Sequence, residues 1–363
     1  ILVYYQPHDY WHVAPGAPHG YWTRHFDVRI ARTADEVIAH LPADREKCIA
    51  IGEFDDESLD LGIERINPTT AVSILHFARG AKTAYELAVM RLASRRGVAG
   101  HNAAESAFRE GKSEFDIHRA YCEAVSHIDA ELPYGNIIAL NEHGAVLHYT
   151  NLDREPPAES RSFLIDAGAQ VHGYASDITR TYAAGDERFQ ALIDRMHALQ
   201  LDIVDRVEAG VDYRDLHVAT HRLLADVLVE AELAVGDPDS LLEMGVTSAF
   251  FPHGLGHLLG IQVHDVGGHQ ANESGDVIDP PSGHPFLRLT RVLEEDMVLT
   301  IEPGLYVIDM LLDGLRGTDG ERRVNWSTVD WLRPFGGIRI EDNVRVMQGA
   351  RENLTRDAFA AAS

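Results

Sequence analysis

"SFLIDAGAQVHGYASDITRTY" (162–182) joins two β-type runs, and each run carries one carboxylate among apolar residues. Asp166 ends the first run and Asp177 begins the second, with Gly168 and Gly173 available for the turn between them. Two runs joined this way are expected to pair antiparallel, with cross-strand neighbours about 5 Å apart. Two ionised carboxylates that close repel unless they share a proton or bind a cation. Either acid alone could serve as a turn or cap residue. The recurrence of the pattern decides the reading.

It recurs twice. "MVLTIEPGLYVI" (297–308) is an apolar β-run interrupted by Glu302, and "GGIRIEDNVRV" (336–346) places Glu341 among apolar residues. A single buried glutamate commonly pairs with an arginine, and Arg339 is near enough to serve. Four such acids with few basic residues beside them are a different matter, because Asp and Glu are rarely buried unless paired or metal-bound. The set points to two divalent cations. Two ions about 3.5–4 Å apart can hold a bridging water, lower its pKa and polarise a carbonyl or phosphoryl oxygen. Oxygen-rich ligation with one imidazole suits Mn²⁺, Co²⁺ or Zn²⁺.

The imidazole comes from "FFPHGLGHLLGIQVHDVGG" (250–268), which holds His253, His257 and His264. His253 and His257 would share a helix face. However, Gly254 and Gly256 disfavour a helix, and Gly254 stands where a helical zinc-protease motif needs glutamate. We therefore expect a glycine-rich loop that approaches the metals closely and enters a strand at "GIQVHDV" (260–266). One histidine ligates and the others line the substrate side; the residues alone leave open which.

The chain also repeats itself. "EGKSEFDIHRAYCEAV" (110–125) resembles "AGVDYRDLHVATHRLL" (209–224), with Gly111/Gly210, Asp116/Asp215 and His118/His217 in matching places. "LIDAG" (164–168) faces "TIEPG" (300–304), and "SDITRTY" (176–182) faces "IEDNVRV" (340–346). Their common order predicts two similar α/β halves in one catalytic domain, residues 78–363. Thr83-Ala84-Tyr85-Glu86 fits a capping box that opens a helix running towards Gly111, and Ser113 opens a second helix containing Ile117, Tyr121 and Val125. Residues 1–77 mix short β-like runs ("ILVYYQ", "CIAIGEF") with Pro/Gly loops and read as a small α/β unit.

Composition narrows the partners. The formal charge of −25 over 363 residues argues against nucleic acid or an anionic membrane. No apolar run approaches the roughly 18–20 residues that span a bilayer. Cys48 and Cys122 are too few for a disulfide framework, so a reducing, cytoplasmic setting is expected. The chain opens at Ile1 inside a β-like run, and we expect its natural N-terminus to lie upstream.

"LIDAG…SDITRTY…PHGLGHLLGIQVHDV…TIEPGLY…GGIRIEDNV" resembles the dinuclear metallopeptidases of the pita-bread fold, above all the bacterial Xaa-Pro dipeptidases (prolidases) and their relative organophosphorus acid anhydrolase. The likeness runs over nearly the whole chain, and five motifs in order make it specific. It implies an α+β fold: a pita-bread catalytic domain of two pseudo-symmetric α/β halves (78–363) preceded by a shortened small α/β N-terminal domain (1–77). It implies two divalent ions per subunit, foremost Mn²⁺, with Asp166, Asp177, His257, Glu302 and Glu341 as ligands, Asp177 and Glu341 bridging.

The resemblance also assigns His253 and His264 to substrate contact and stabilisation of the tetrahedral intermediate, and Glu302 to proton shuttling. Tyr134, Leu147 and His148 would line the substrate pocket, Val263 would wall its proline site, Arg291 would bind the substrate's C-terminal carboxylate, and Arg339 would orient Glu341. The activity implied is hydrolysis of Xaa-Pro dipeptides by a metal-bridging hydroxide in a homodimer, with phosphotriester hydrolysis as a side activity. The rivals are aminopeptidase P-like or methionine aminopeptidase-like cleavage of longer peptides, and a metal-free binding module or creatinase-like enzyme of the same fold.

Overall fold

The computed structural model describes residues 1–13, 15–54 and 60–362. The chain divides into two compact units, Ile1–Leu75 and His76–Ser363. In the first, β1 (Leu2–Tyr5) lies parallel to β2 (Val28–Ala31), and the short helix α1 (Ala34–Ala39) is capped by the Thr33 side chain. The expected run "CIAIGEF" forms only a bridge, Ala50 to Ile66. Helix α2 (Thr69–Ala78) follows.

The second unit opens as the sequence predicts. Thr83 and Glu86 close a capping box on α3 (Ala84–Arg109), which is continuous over 26 residues. Ser113 caps α4 (Glu114–Val125), whose Ile117, Tyr121 and Val125 are buried against α3 and the sheet. That sheet is antiparallel, with strand order β3 (Ile137–Leu140), β4 (Ser162–Asp166), β7 (Thr179–Ala183). Between β4 and β7 sits a small hairpin, β5 (Gln170–Val171) and β6 (Tyr174–Ala175). Its turn residues His172 and Gly173 both have positive φ, +51° and +85°.

The second half repeats the scheme. Helices α5 (Glu187–Asp205) and α6 (Tyr213–Glu230) precede β8 (Val298–Ile301), β9 (Gly304–Tyr306), β10 (Gly337–Arg339), β11 (Asp342–Met347) and β12 (Ala350–Asn353). β12, β11 and β8 form an antiparallel sheet in that order, and β9 pairs with β10. The sequence repeat is visible in local geometry: Gly111 and Gly210 both take positive φ (+74° and +95°), and Ser113 and Asp212 are the caps of α4 and α6. Leu192, Leu216, Leu299, Ile301, Ile338 and Val344 belong to the core beneath this half.

The halves meet at a seam beside the carboxylates. Thr179 bridges Glu341, with the Glu341 N–H donating to the Thr179 carbonyl at 3.0 Å. Beside it the Thr181 hydroxyl donates to the Arg339 carbonyl at 3.0 Å. Among the described residues, no helix is long and apolar enough to cross a membrane.

Candidate metal centre

All four acids stand where strands stop. Asp166 is the last residue of β4, and Asp177 lies two residues before β7. The intervening hairpin means that they are not the direct cross-strand pair expected; Asp166 is opposite Thr179. Glu302 occupies the break between β8 and β9, and Glu341 the break between β10 and β11. At such breaks a side chain can leave the sheet face while its backbone stays anchored.

The glycine-rich segment is a loop, as the two glycines require, but "GIQVHDV" forms no strand. The chain folds back there, Gly260 N–H to the Gln262 carbonyl and Asp265 N–H to the Leu258 carbonyl. Arg79 and Lys82 hold the Asp265 carboxylate. The preceding part runs antiparallel along β8: Leu259 N–H donates to Val298, Thr300 N–H to His257 and Glu302 N–H to Leu255. Gly256 permits this approach, because a Cβ there would collide with the Thr300 carbonyl and the Tyr213 hydroxyl.

The loop delivers His257 to the acids. Asp177, His257 and Glu341 each present a ligand atom, all within 4.8 Å of one another, and all three are buried. His257 Nε2 is 3.3 Å from Asp177 Oδ2 and 3.7 Å from Glu302 Oε1. The Leu258 carbonyl lies 2.9 Å from His257 Nδ1; a carbonyl only accepts, so Nδ1 carries a proton and Nε2 is aimed at the carboxylates, where Asp177 favours a second proton that a cation would replace.

Neighbours hold the carboxylates in place. Tyr134 donates its hydroxyl to Asp177 Oδ1 at 2.6 Å, and Thr179 donates its hydroxyl to Glu341 Oε2 at 2.7 Å. Arg339 donates to Asp166 Oδ2 at 2.7 Å, whereas Asp166 Oδ1 is buried with no hydrogen-bond partner. Arg339, expected to orient Glu341, makes no hydrogen bond to it among the described residues. Its guanidinium instead crosses the seam to Asp166 and the Tyr306 hydroxyl, and Thr179 serves Glu341.

The electrostatics show a surplus of negative charge. Burial pushes the Glu341 carboxyl well above its usual range, reinforced by Asp177, Glu302 and Asp166. Burial likewise raises Asp166, against the pull of Arg339. It also carries Glu302 to about 7, although the His257 charge opposes it. Burial works against the charged form of Asp177 too, but the hydrogen bond and charge of His257 outweigh it and lower that carboxyl. Arg339 and one imidazole are too little cation for four acids. Oxygen donors, one imidazole nitrogen aimed at them and an unpartnered carboxylate oxygen fit a divalent cation.

The cluster floors a cavity of about 830 Å³. Asp166, Asp177, His257, Glu302 and Glu341 line it, as do His253, His264, Leu147, His148 and Arg339. His253 has both nitrogens engaged, Nδ1 with the Gly254 carbonyl at 2.8 Å and Nε2 with the Tyr306 hydroxyl at 2.9 Å. Burial holds it neutral, its pKa lowered to about 3, and burial lowers His264 to about 4. Tyr134 reaches the site through Asp177, not as a cavity wall. Val263 packs instead near Leu87, Met90 and Leu259.

Arg291 stands elsewhere. It is 2% exposed, stacks over the Phe77 ring and donates to the Phe77 carbonyl and the Glu294 carboxylate. Besides Arg339, the cavity is lined by Arg288, which sequence reasoning missed. The signal was present in "FLRL" (286–289): Leu287 and Leu289 are buried, so the alternation turns Arg288 the other way.

Comparison with known proteins follows the same lines. The family model described as "Metallopeptidase family M24" matches residues 88–348, and "Xaa-Pro dipeptidase, N-terminal domain" matches residues 1–77. A protein of Xanthomonas oryzae pv. oryzae named Xaa-Pro dipeptidase is 54% identical over 363 residues, covering 100% of this chain and 82% of its own length. One of Stenotrophomonas maltophilia with the same name gives 54% over 363 residues and the same coverage. Among solved structures, zinc-substituted aminopeptidase P of E. coli in complex with product superposes with a TM-score of 0.64 at 28% identity, over 82% of this chain and 60% of that one. Aminopeptidase PepP of Pseudomonas aeruginosa gives 0.63 at 27%, over 83% and 64%. The chain thus spans less than two thirds of either solved protein. The M24 match contains all five clustered residues, and a relative at 54% identity runs the full length of the chain: it belongs to the pita-bread metallopeptidases of family M24.

Proposed function

We propose that this protein hydrolyses Xaa-Pro dipeptides at a centre of two divalent ions held by Asp166, Asp177, His257, Glu302 and Glu341, with Asp177 and Glu341 shared. The observation that carries it is the buried carboxylate cluster, with Nε2 of His257 aimed at it and Oδ1 of Asp166 buried without a hydrogen bond. The donor set, all oxygen but one, favours Mn²⁺, with Co²⁺ or Zn²⁺ as substitutes. When bound, such a pair of ions supplies an activated water and polarises the scissile carbonyl.

The chain's own residues do the rest. Glu302 is the most open of the acids, with 18% of its side chain exposed against 15% for Asp166 and 7% for Asp177, and is placed to carry a proton to the imide nitrogen. His264, neutral and facing the cavity, donates to the developing oxyanion. Leu147, His148 and His253 wall the substrate, and Arg288 replaces Arg291 as the group that receives its free carboxylate. The preference for dipeptides follows, because a longer substrate leaves that charge unmatched.

The relatives named Xaa-Pro dipeptidase support this reading, and the aminopeptidase P structures support the same chemistry on longer chains. Residues 1–77 would be an N-terminal domain and 78–363 the catalytic one. A homodimer follows from the resemblance, and a cytoplasmic setting from two free cysteines. The test is turnover of Gly-Pro and Leu-Pro after chelation and re-addition of Mn²⁺, Co²⁺ or Zn²⁺, set beside a tripeptide and an organophosphate triester. Full activity in chelator, or higher efficiency on the tripeptide or triester, overturns the assignment.

A further inference from the structure

A second group of unassigned side chains stands outside the carboxylate cluster. His217 and His221, four residues apart, share one face of α6 and meet His284 of the following loop region. Ring centroids are 4.8 Å apart for His217–His221, 4.6 Å for His217–His284 and 4.5 Å for His221–His284. One nitrogen from each lies within 4.8 Å of the others.

These rings are not explained by packing alone. His217 is 1% exposed and His221 0%, yet both nitrogens of His217 and Nε2 of His221 have no hydrogen-bond partner. Buried polar atoms without partners are rare in folded proteins and need a cause. The Thr247 hydroxyl, 3.1 Å from His221 Nδ1, fixes that ring and leaves Nε2 for its neighbours, as a supporting hydrogen bond does for a metal-binding histidine. Burial also lowers the pKa of His221 to about 3 and shifts those of His217 and His284 downward, so an incoming cation has no proton to displace.

We propose that His217, His221 and His284 form a mononuclear site for an imidazole-preferring divalent transition metal, Zn²⁺ foremost, distinct from the carboxylate centre. No carboxylate belongs to this group, which selects against Mn²⁺, Mg²⁺ and Ca²⁺. Three histidines leave a fourth position for water. His284 directly precedes Pro285, Phe286, Leu287 and Arg288, which line the cavity. A bound ion would therefore clamp that wall to α6.

The experiment equilibrates Mn²⁺-loaded protein with about 10 µM ZnCl₂ and measures zinc per chain in the wild type, His284→Ala and His221→Gln. Exchange at the carboxylate centre is common to all three and cancels in the difference. The wild type should hold one zinc more per chain than either variant, and its zinc absorption edge should show a shell of imidazole nitrogens that the variants lack. If His221→Gln does not fold, His284→Ala, a half-buried loop substitution, still decides. Equal zinc content in wild type and folded His284→Ala, or an oxygen-only shell, overturns the proposal.

Discussion

Arg339 donates Nη2 to Asp166 Oδ2 at 2.7 Å, across the seam, rather than to Glu341, two residues along its own chain. Its Nη1 donates to the Tyr306 hydroxyl, whose proton is then free for His253 Nε2. One guanidinium thus ties a proposed ligand to a substrate-side histidine. Arg339→Lys keeps the charge but loses the planar fork. We expect kcat to fall about 10–100-fold and metal content at limiting Mn²⁺ to drop, as for other groups that orient metal ligands. Metal analysis and steady-state rates on one preparation check both.

The carboxylate cluster should be stabilised by the cation it fits. Adding Mn²⁺ to chelated protein at about 100 times Kd corresponds to about 2.7 kcal/mol, a thermal midpoint higher by several degrees for a domain of this size. Asp177→Asn should abolish the shift and most of the activity. A midpoint that rises equally in Asp177→Asn would remove Asp177 from the centre.

The two arginines separate by kinetics. Arg288→Ala should raise KM for dipeptides by about 10-fold or more, with a smaller effect on tripeptides, since a charge-assisted hydrogen bond contributes about 1.5–3 kcal/mol. Arg291→Ala should leave KM near the wild-type value and destabilise the fold by about 1–3 kcal/mol, because its guanidinium is buried against Phe77 and Glu294. The reverse pattern would restore Arg291 as the carboxylate binder.

Acid sensitivity has an identifiable source in His101, fully buried on α3 with Nε2 donating to the Ala167 carbonyl at 3.0 Å. Burial lowers its pKa to about 3, whereas in the unfolded chain it titrates near 6.5. Between those values the unfolded state binds the extra proton, so stability is complete above pH 6.5 and declines as pH falls towards 3. The slope is about 1.4 kcal/mol per pH unit from this residue. Urea midpoints at pH 7, 6 and 5 should fall more steeply in the wild type than in His101→Gln. Parallel lines would assign the acid loss to other groups.

Much of this was legible locally. The Thr83 capping box, the Ser113 cap and the matching Gly111 and Gly210 are short-range signals, and the structure uses them as the spacing predicts. The acids were conspicuous because a carboxylate in an apolar run needs a reason. What escaped depends on contacts distant in sequence. Arg339 ends β10 and Glu341 follows in the break before β11, but their partners are set by how the two sheets abut. The hairpin between Asp166 and Asp177 has strands of two residues, too short to show a period. The segment 260–266 has an apolar look, but local turns and the Arg79–Asp265–Lys82 pairing keep it from extending.

The Thr179–Glu341 bridge has a consequence for how the protein matures. Asp166 and Asp177 come from one half, and His257, Glu302 and Glu341 from the other, so neither half alone holds all five proposed ligands. During synthesis the first half can collapse around its own helices and sheet long before Glu341 has been added. With those five as ligands, ion capture would be a late event, one that registers the docking of the halves rather than directing it.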